Sequence, residues 1–235
     1  MKIKIIPNPK KIWAKSLAKI LGTYLTKAGH IIVSKTADAT ICIGGDGTIL
    51  YANYKNQLQG SVLGIGGDKS YICQLRNGCT NEEVLSLLQS SKREKIMALS
   101  CTVQKRKFTV LNDVVVHASN FRVVEIDLKF NDQLISFEGD GLIVSSPLGS
   151  AAYAYSAGGE KLNPDDKRMV VVPICPYKRM LPPRTLPSGV TIEIKAGNDC
   201  ALIIDGIFVS HLKGENVSVE KGSDIIFFSG VGRYG

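Results

Sequence analysis

The chain has 235 residues, 44% hydrophobic and 21% charged, enough to bury a sizeable core in one large or two modest domains. Its 29 Lys and Arg against 21 Asp and Glu leave a net charge of +8, which favours polyanionic small molecules; the basic residues are too scattered for a nucleic-acid partner to be expected. Six cysteines without a C-x-x-C pair exclude a zinc or disulfide framework, and no stretch reads as a secretory leader or membrane span, so a cytoplasmic protein with reduced thiols is expected.

Lys2 to Ile6 reads as a buried first strand, and Trp13, Leu17, Ile20, Leu21, Tyr24, Leu25 and Ala28 then recur at helical spacing up to Gly29. Strands are predicted at Ile31 to Ser34, Thr40 to Ile43 and Ser61 to Ile65, and Thr80 with Glu83 forms a capping box ahead of Val84 to Leu88. This alternation predicts a parallel α/β layer over residues 1–94. From Lys95 the strands become closely spaced, with Asn131-Asp132 as a hairpin turn between Ile126–Phe130 and Gln133–Phe137. Further strands are expected at Leu142–Ser145, Met169–Val172, Val190–Lys195, Ala201–Ile204, Asn216–Val219 and Ile225–Phe228, a mostly antiparallel β domain over 95–221.

The most telling stretch is Thr40-Ile41-Cys42-Ile43-Gly44-Gly45-Asp46-Gly47-Thr48, an apolar strand that enters a glycine-rich turn carrying one carboxylate. Glycines remove the side chains that would hold a polyphosphate off the backbone, so Gly44, Gly45 and Thr48 are candidate phosphate contacts. Asp46 is a proton acceptor for a hydroxyl, a metal ligand, or the cap of a helix beginning near Thr48. A second acid between glycines, Gly139-Asp140-Gly141, leads through Ser146-Pro147-Leu148-Gly149-Ser150 into Ala151-Ala152-Tyr153-Ala154-Tyr155-Ser156. Tyr153 and Tyr155 share a face if this segment is extended and diverge if it is helical. The three histidines show no metal spacing.

With Asn112-Asp113 upstream and Asp205-Gly206 downstream, these motifs stand in an order that resembles the NAD kinase family. That family belongs to a wider group sharing the Gly-Gly-Asp-Gly-Thr loop with diacylglycerol, sphingosine and phosphofructokinase enzymes. The resemblance covers the chain from about Ala39 onward. It implies an N-terminal Rossmann-like α/β domain and a C-terminal β-sandwich domain, with the last residues, 222–235, returning to the first domain.

It further implies transfer of the terminal phosphate of ATP or polyphosphate, with Mg²⁺ or Mn²⁺, to the 2′-hydroxyl of the adenosine ribose of NAD. Asp46 stands where the family has its general base, and Gly47 where the dinucleotide lies against the backbone. Asn112 and Asp113 match the pair that holds ribose and adenine, Asp140 the acid at the nicotinamide end, and Arg122 a basic contact. Ala151, Ala152, Tyr153 and Ser156 lie over the Thr-Ala-Tyr-x-x-Ser segment, and Cys175 aligns with a contact that a neighbouring subunit supplies, which implies a homodimer or homotetramer.

Each of these has a plainer reading beside it. Arg122 falls in a strand-like alternation and reads equally as a solvated strand-face arginine, while Asn112-Asp113 reads as a turn before Val114-Val115-Val116. The chain also departs from the family pattern: Gly66-Gly67-Asp68-Lys69-Ser70-Tyr71 lacks the usual asparagine and phenylalanine, and Leu148 and Ala151 replace hydroxyls. Two other functions therefore stand beside the kinase, a non-catalytic NAD(P) sensor and a lipid or sugar kinase of the wider group.

Overall fold

In a computed structural model, residues 1–120 and 122–232 are described. The chain forms two compact units, one made of residues 1–96 with the segment from 225 onward, the other of residues 97–224.

The first unit alternates strands and helices: β1 (Lys2–Pro7), α1 (Ile12–Lys27), β2 (Ile31–Ile32), β3 (Ala39–Ile43), α2 (Asp46–Tyr54), β4 (Ser61–Gly66), β5 (Leu75–Arg76), α3 (Asn81–Gln89) and β6 (Arg93–Ile96). The sheet order is β2, β1, β3, β4, then the returning strand Ile225–Phe228, then β6; β5 pairs with β4. β1 to β4 pair in parallel, the returning strand is parallel to β4, and β6 is antiparallel to it. On one face Ile3, Ile41, Ile43, Leu63, Ile65 and Phe228 pack with Ala14, Leu21 and Leu25 of α1 and Val84 and Leu88 of α3. Each large apolar side chain so buried contributes about 1.5–3 kcal/mol relative to exposure. The other face receives α2, and Gly64 makes room for it: a Cβ there would lie 2.7 Å from Ile49 Cδ1. The capping box on α3 is formed, Thr80 N–H donating to Glu83 Oε2 at 2.7 Å and Glu83 N–H to Thr80 Oγ1 at 3.1 Å.

The second unit comprises β7 (Leu99–Val103), β8 (Arg106–Val110), β9 (Asp113–Ala118), β10 (Val124–Phe130), β11 (Gln133–Gly139), β12 (Gly141–Ser145), α4 (Tyr153–Ser156), β13 (Arg168–Ile174), β14 (Arg184–Pro187), β15 (Ile192–Ala196), β16 (Asn198–Ile204), β17 (Ile207–Lys213) and β18 (Asn216–Lys221). They form two six-stranded antiparallel sheets, β11-β10-β15-β18-β7-β8 and β14-β13-β12-β9-β16-β17. A single core joins the inner faces, with Leu99, Ile126, Leu128 and Val217 from the first sheet meeting Val114, Val116, Leu142, Val144 and Leu202 from the second. The outer face of the second sheet is covered too, since Val115, Ile143, Val170 and Val172 pack with Ala154 of α4 and Leu162. Strands buried on both sides carry unbroken apolar runs, which explains Val114-Val115-Val116 and Met169 to Val172. The predicted hairpin is present, with Phe130 opposite Gln133 and Asn131 at φ +45° in the left-handed turn position.

The structure decides between three pairs of local readings. Arg122 lies ahead of β10 and not within it, so the strand-face reading fails. Tyr153 and Tyr155 are on the short helix α4 and diverge. Asp46 is the first residue of α2 with Gly45 as its cap, so its side chain does not cap a later-starting helix.

Candidate active-site loops

β3 ends in Gly44 at φ +143° and Gly45 at φ +109°, a conformation that side-chain-bearing residues avoid. Space enforces the same choice, because a Cβ on Gly44 would stand 2.4 Å from Asn8 Cβ and 2.6 Å from Thr48 Oγ1. Asn8 tethers the turn from the end of β1: its N–H donates to Ile43 O at 2.7 Å and its Nδ2 to Thr48 Oγ1 at 3.3 Å. Lys11 reaches across from the start of α1 and donates from Nζ to Gly44 O at 2.7 Å.

Asp46 turns its carboxylate onto the loop that follows β4. Oδ2 accepts Tyr71 N–H at 2.6 Å, and Oδ1 accepts Ile72 N–H at 3.0 Å and Cys73 N–H at 3.3 Å. The Cys73 thiol hydrogen-bonds the same carboxylate, so the loop fixes Asp46 through both backbone and side chain. Arg76 braces the same loop, Nη2 donating to Ser70 O at 2.7 Å and Nη1 to Cys73 O at 2.9 Å. The Cys73 thiol is pushed well up by burial and by the Asp46 charge, which leaves it inert as a nucleophile.

A cavity of about 520 Å³ opens over this arrangement, lined by Asn8, Lys11 and the two turns 44–48 and 67–70. A second hollow of about 580 Å³ adjoins it through Asn8, Gly47 and Thr48, and there Pro7, Pro9 and Tyr51 line the wall. Gly47 is open to this space, since a Cβ on it would meet nothing within 4 Å. A further hollow, about 590 Å³, presents Glu82 and Glu83 of α3 and no cation among its described lining residues, so it is ill suited to an anion.

In the second unit, Asn112 and Asp113 are held by what surrounds their backbone. Asp205, at φ +52°, accepts Leu111 N–H at 3.0 Å, Asn112 N–H at 2.7 Å and Asp113 N–H at 3.3 Å, and its own N–H donates to Asp113 O at 3.0 Å. Ser146 N–H donates to Asn112 O at 2.8 Å and Ser146 Oγ to Leu111 O. Gly149 allows this approach, because a Cβ on it would fall 2.2 Å from Asn112 O. The hydroxyls that remain in the Ser146–Ser150 turn are thus used within the scaffold, Ser150 Oγ donating to Pro147 O at 2.6 Å and accepting Leu162 N–H at 2.8 Å.

The clamp leaves the Asn112 and Asp113 side chains available. Asn112 Oδ1 is buried without a hydrogen-bond partner, a costly arrangement unless something donates to it. Asp113 is 5% exposed, and burial followed by the Asp205 charge pushes its carboxyl up to about 7. Asp140 hydrogen-bonds the Cys175 thiol, and their proximity raises it, while the Tyr153 hydroxyl is raised by burial and then by Cys175, Asp113 and Asp140.

These contacts gather Asp113, Asp140, Tyr153 and Cys175 in one neighbourhood. Ala151, Ala152 and Ser156 belong to the same segment as Tyr153, with Ser156 Oγ donating to Ala152 O at 3.3 Å. Arg122 is exposed, and its only described bond is from its backbone N–H to Asn120 Oδ1 at 3.3 Å. The glycines beside Asp140 serve strand packing and not a phosphate, since a Cβ at Gly139 would approach Ile174 O at 2.9 Å and one at Gly141 would approach Val116 O at 2.3 Å.

Residues 111–227 match the family model described as the ATP-NAD kinase C-terminal domain. The NAD kinase of Thermoplasma volcanium is 32% identical over 229 residues, covering 94% of this chain and 82% of that protein. The NAD kinase of Treponema denticola is also 32% identical, covering 94% of this chain and 83% of its own length. Among solved structures, an NAD kinase from Archaeoglobus fulgidus in complex with ATP shares the fold with a TM-score of 0.84 at 21% identity, covering all of this chain and 96% of the other. Yeast NADH kinase complexed with NADH gives a TM-score of 0.88 at 20% identity, covering 97% of this chain and 82% of its own. On the extent and identity of these matches, the chain belongs to the NAD kinase family.

Proposed function

We propose that the protein is an NAD kinase, transferring the terminal phosphate of ATP to the 2′-hydroxyl of the adenosine ribose of NAD. The observation that carries this reading is the Asp46 carboxylate, fixed by three backbone amides beside a glycine-lined cavity. In the step, the ribose hydroxyl gives its proton to Asp46, its oxygen forms the new bond to the terminal phosphorus, and the bond from that phosphorus to the bridging oxygen of ADP breaks. Such a reaction depends mainly on positioning and charge stabilisation, which a fixed base and a rigid turn supply.

Asn112 and Asp113 are assigned to the adenosine of NAD, with the unpartnered Asn112 Oδ1 accepting a donor and Asp113 alternating between donor and acceptor near neutral pH. Tyr153, Asp140 and Ser156 are assigned to the rest of the dinucleotide, with Ala151 and Ala152 giving it room and Arg122 and Cys175 as outer contacts. Among the described residues no group of three or more His, Cys, Asp and Glu is arranged to hold a metal ion. Mg²⁺ or Mn²⁺ is accordingly taken as part of the substrate, carried on the phosphates of ATP or of polyphosphate. We assign the active form to a homodimer or homotetramer working in the cytoplasm.

A sensor without turnover is the rival reading, and the atypical 66–71 loop is its best support. Against it, the end of this loop and the two residues after it turn their backbone amides onto the Asp46 carboxylate and hold it in place, an arrangement a sensor has little need of. The purified protein incubated with NAD, Mg²⁺ and either ATP or polyphosphate is expected to form NADP, seen by chromatography. Saturable NAD binding with no product from any donor would favour the sensor.

A further inference from the structure

We infer that Arg76 and Glu94 are positioning residues for Asp46, each acting on the carbonyl side of one of the peptide groups whose N–H donates to its carboxylate. This deepens the kinase reading and rests on it, since a base that takes a proton from a hydroxyl must be held in direction as well as in place.

The carbonyl of one residue and the N–H of the next belong to a single planar group, so whatever holds one end orients the other. In the Ser70–Tyr71 group, Ser70 O accepts Arg76 Nη2 at 2.7 Å while Tyr71 N–H donates to Asp46 Oδ2 at 2.6 Å. Arg76 is brought there by β5, which pairs it with Gly66, and Asn77 N–H closes the same point by donating to Gly66 O at 2.6 Å. The loop over 67–75 thus begins and ends at one place, and the guanidinium reaches back along it to Ser70 O and, at 2.9 Å, to Cys73 O. Two carbonyls held at once suit the planar, five-donor fork of an arginine. A cation on the carbonyl also polarises the peptide and strengthens the hydrogen bond at its N–H end.

The next peptide group, Tyr71–Ile72, is held in the same way by a different segment. Tyr71 O accepts Gly232 N–H at 3.1 Å while Ile72 N–H donates to Asp46 Oδ1 at 3.0 Å. Gly232 is itself placed by Glu94 of β6, whose Oε1 accepts Gly230 N–H at 2.8 Å and whose Oε2 accepts Val231 N–H at 3.1 Å. This two-oxygen hold fixes the turn after the returning strand, where Gly230 at φ +113° and Gly232 at φ +75° adopt backbone that other residues avoid. Two side chains far from Asp46 in sequence therefore set two of the three amides that fix it, one through a cation and one through a carboxylate.

The test is steady-state NADP formation from NAD and MgATP by wild type, Arg76→Gln, Arg76→Lys and Glu94→Gln, with NAD affinity measured by calorimetry and every rate taken well below the thermal midpoint. Arg76→Gln should lower turnover by about 5- to 30-fold and Glu94→Gln by about 3- to 10-fold, the range a charge-assisted hydrogen bond carries, with the NAD dissociation constant changed less than about twofold. Arg76→Lys keeps the charge and should restore most of the loss. In an Asp46→Asn background, Arg76→Gln and Glu94→Gln should change the residual rate less than about twofold, because no base is left to position. A purely structural role would lower the midpoint and leave the turnover of the folded protein intact. Unchanged turnover in either single variant of an active enzyme, or an equal loss in the Asp46→Asn background, would overturn the inference for that residue and leave the kinase reading standing. A wild-type protein that forms no NADP would overturn the kinase reading and the inference with it.

Discussion

The Oδ2 atom of Asp46 accepts the backbone N–H of Tyr71 at 2.6 Å, so the carboxylate that opens α2 also anchors the loop after β4. One residue thereby has both a structural and a chemical role. Asp46→Asn keeps one acceptor oxygen but sets an NH₂ among N–H donors, and a cost of about 1–3 kcal/mol in stability is expected. Thermal unfolding of the variant beside wild type measures it; an unchanged midpoint would mean that the loop does not depend on this anchor.

The glycines of the two units divide by what surrounds them. Gly149→Ala drives a Cβ into Asn112 O, and a loss on the order of 2–3 kcal/mol is expected together with weaker NAD binding. Gly47→Ala meets nothing within 4 Å, so the midpoint should hold while substrate affinity falls. Unfolding scans with NAD and ATP-analogue titrations on both variants check the contrast, and equal midpoints would refute it.

Asp113 gives a pH signature. Its carboxyl is raised to about 7 in the folded chain from an ordinary value near 3.8, chiefly by burial. The unfolded chain releases this proton first, so the contribution to stability is fully present below about pH 4 and is lost as pH rises through about 7. Asp113→Asn should flatten that part of the profile, a difference on the order of a few kcal/mol between pH 4 and pH 8. Denaturation midpoints across this range read it, and parallel profiles for the two proteins would contradict it.

Ser146 ties two chain segments together through its hydroxyl, which donates to Leu111 O and accepts Gly149 N–H at 3.1 Å. Ser146→Ala removes both bonds inside the core, where a cost of about 1–3 kcal/mol is expected. Because Asn112 rests on this turn, NAD affinity should fall along with the midpoint. Titration of the folded variant below its midpoint separates the two effects, and unaltered NAD affinity would show that the turn does not position Asn112.

In the first unit β1, β3, β4, α1 and α3 were legible because period-3.6 and capping signals are local, as the helix from Trp13 to Ala28 and the capping box at Thr80 show, whereas the short β5 and the charged β6 carry no such signal. Several strands of the sandwich were not legible either. β8 and β17 are edge strands of mixed polarity, each paired only with the strand before it, and β17 does so across shifted registers. The glycine turn around Asp46 declared itself by composition, whereas Asn8, Lys11 and Asp205 act through contacts with distant segments. Only Pro7-Asn8-Pro9-Lys10-Lys11, a proline-punctuated basic turn between strand and helix, hinted at the first two. The acid at 140 misled in one respect, because its flanking glycines answer to the carbonyls of Ile174 and Val116.

The most direct measurement is the rate of NADP formation from NAD and MgATP by wild-type and Asp46→Asn protein, with NAD affinity determined on both. The account predicts that turnover falls by about 10²- to 10⁴-fold while the NAD dissociation constant moves by less than about threefold. Turnover that survives the substitution, or that falls only in step with NAD binding, would contradict Asp46 as the base.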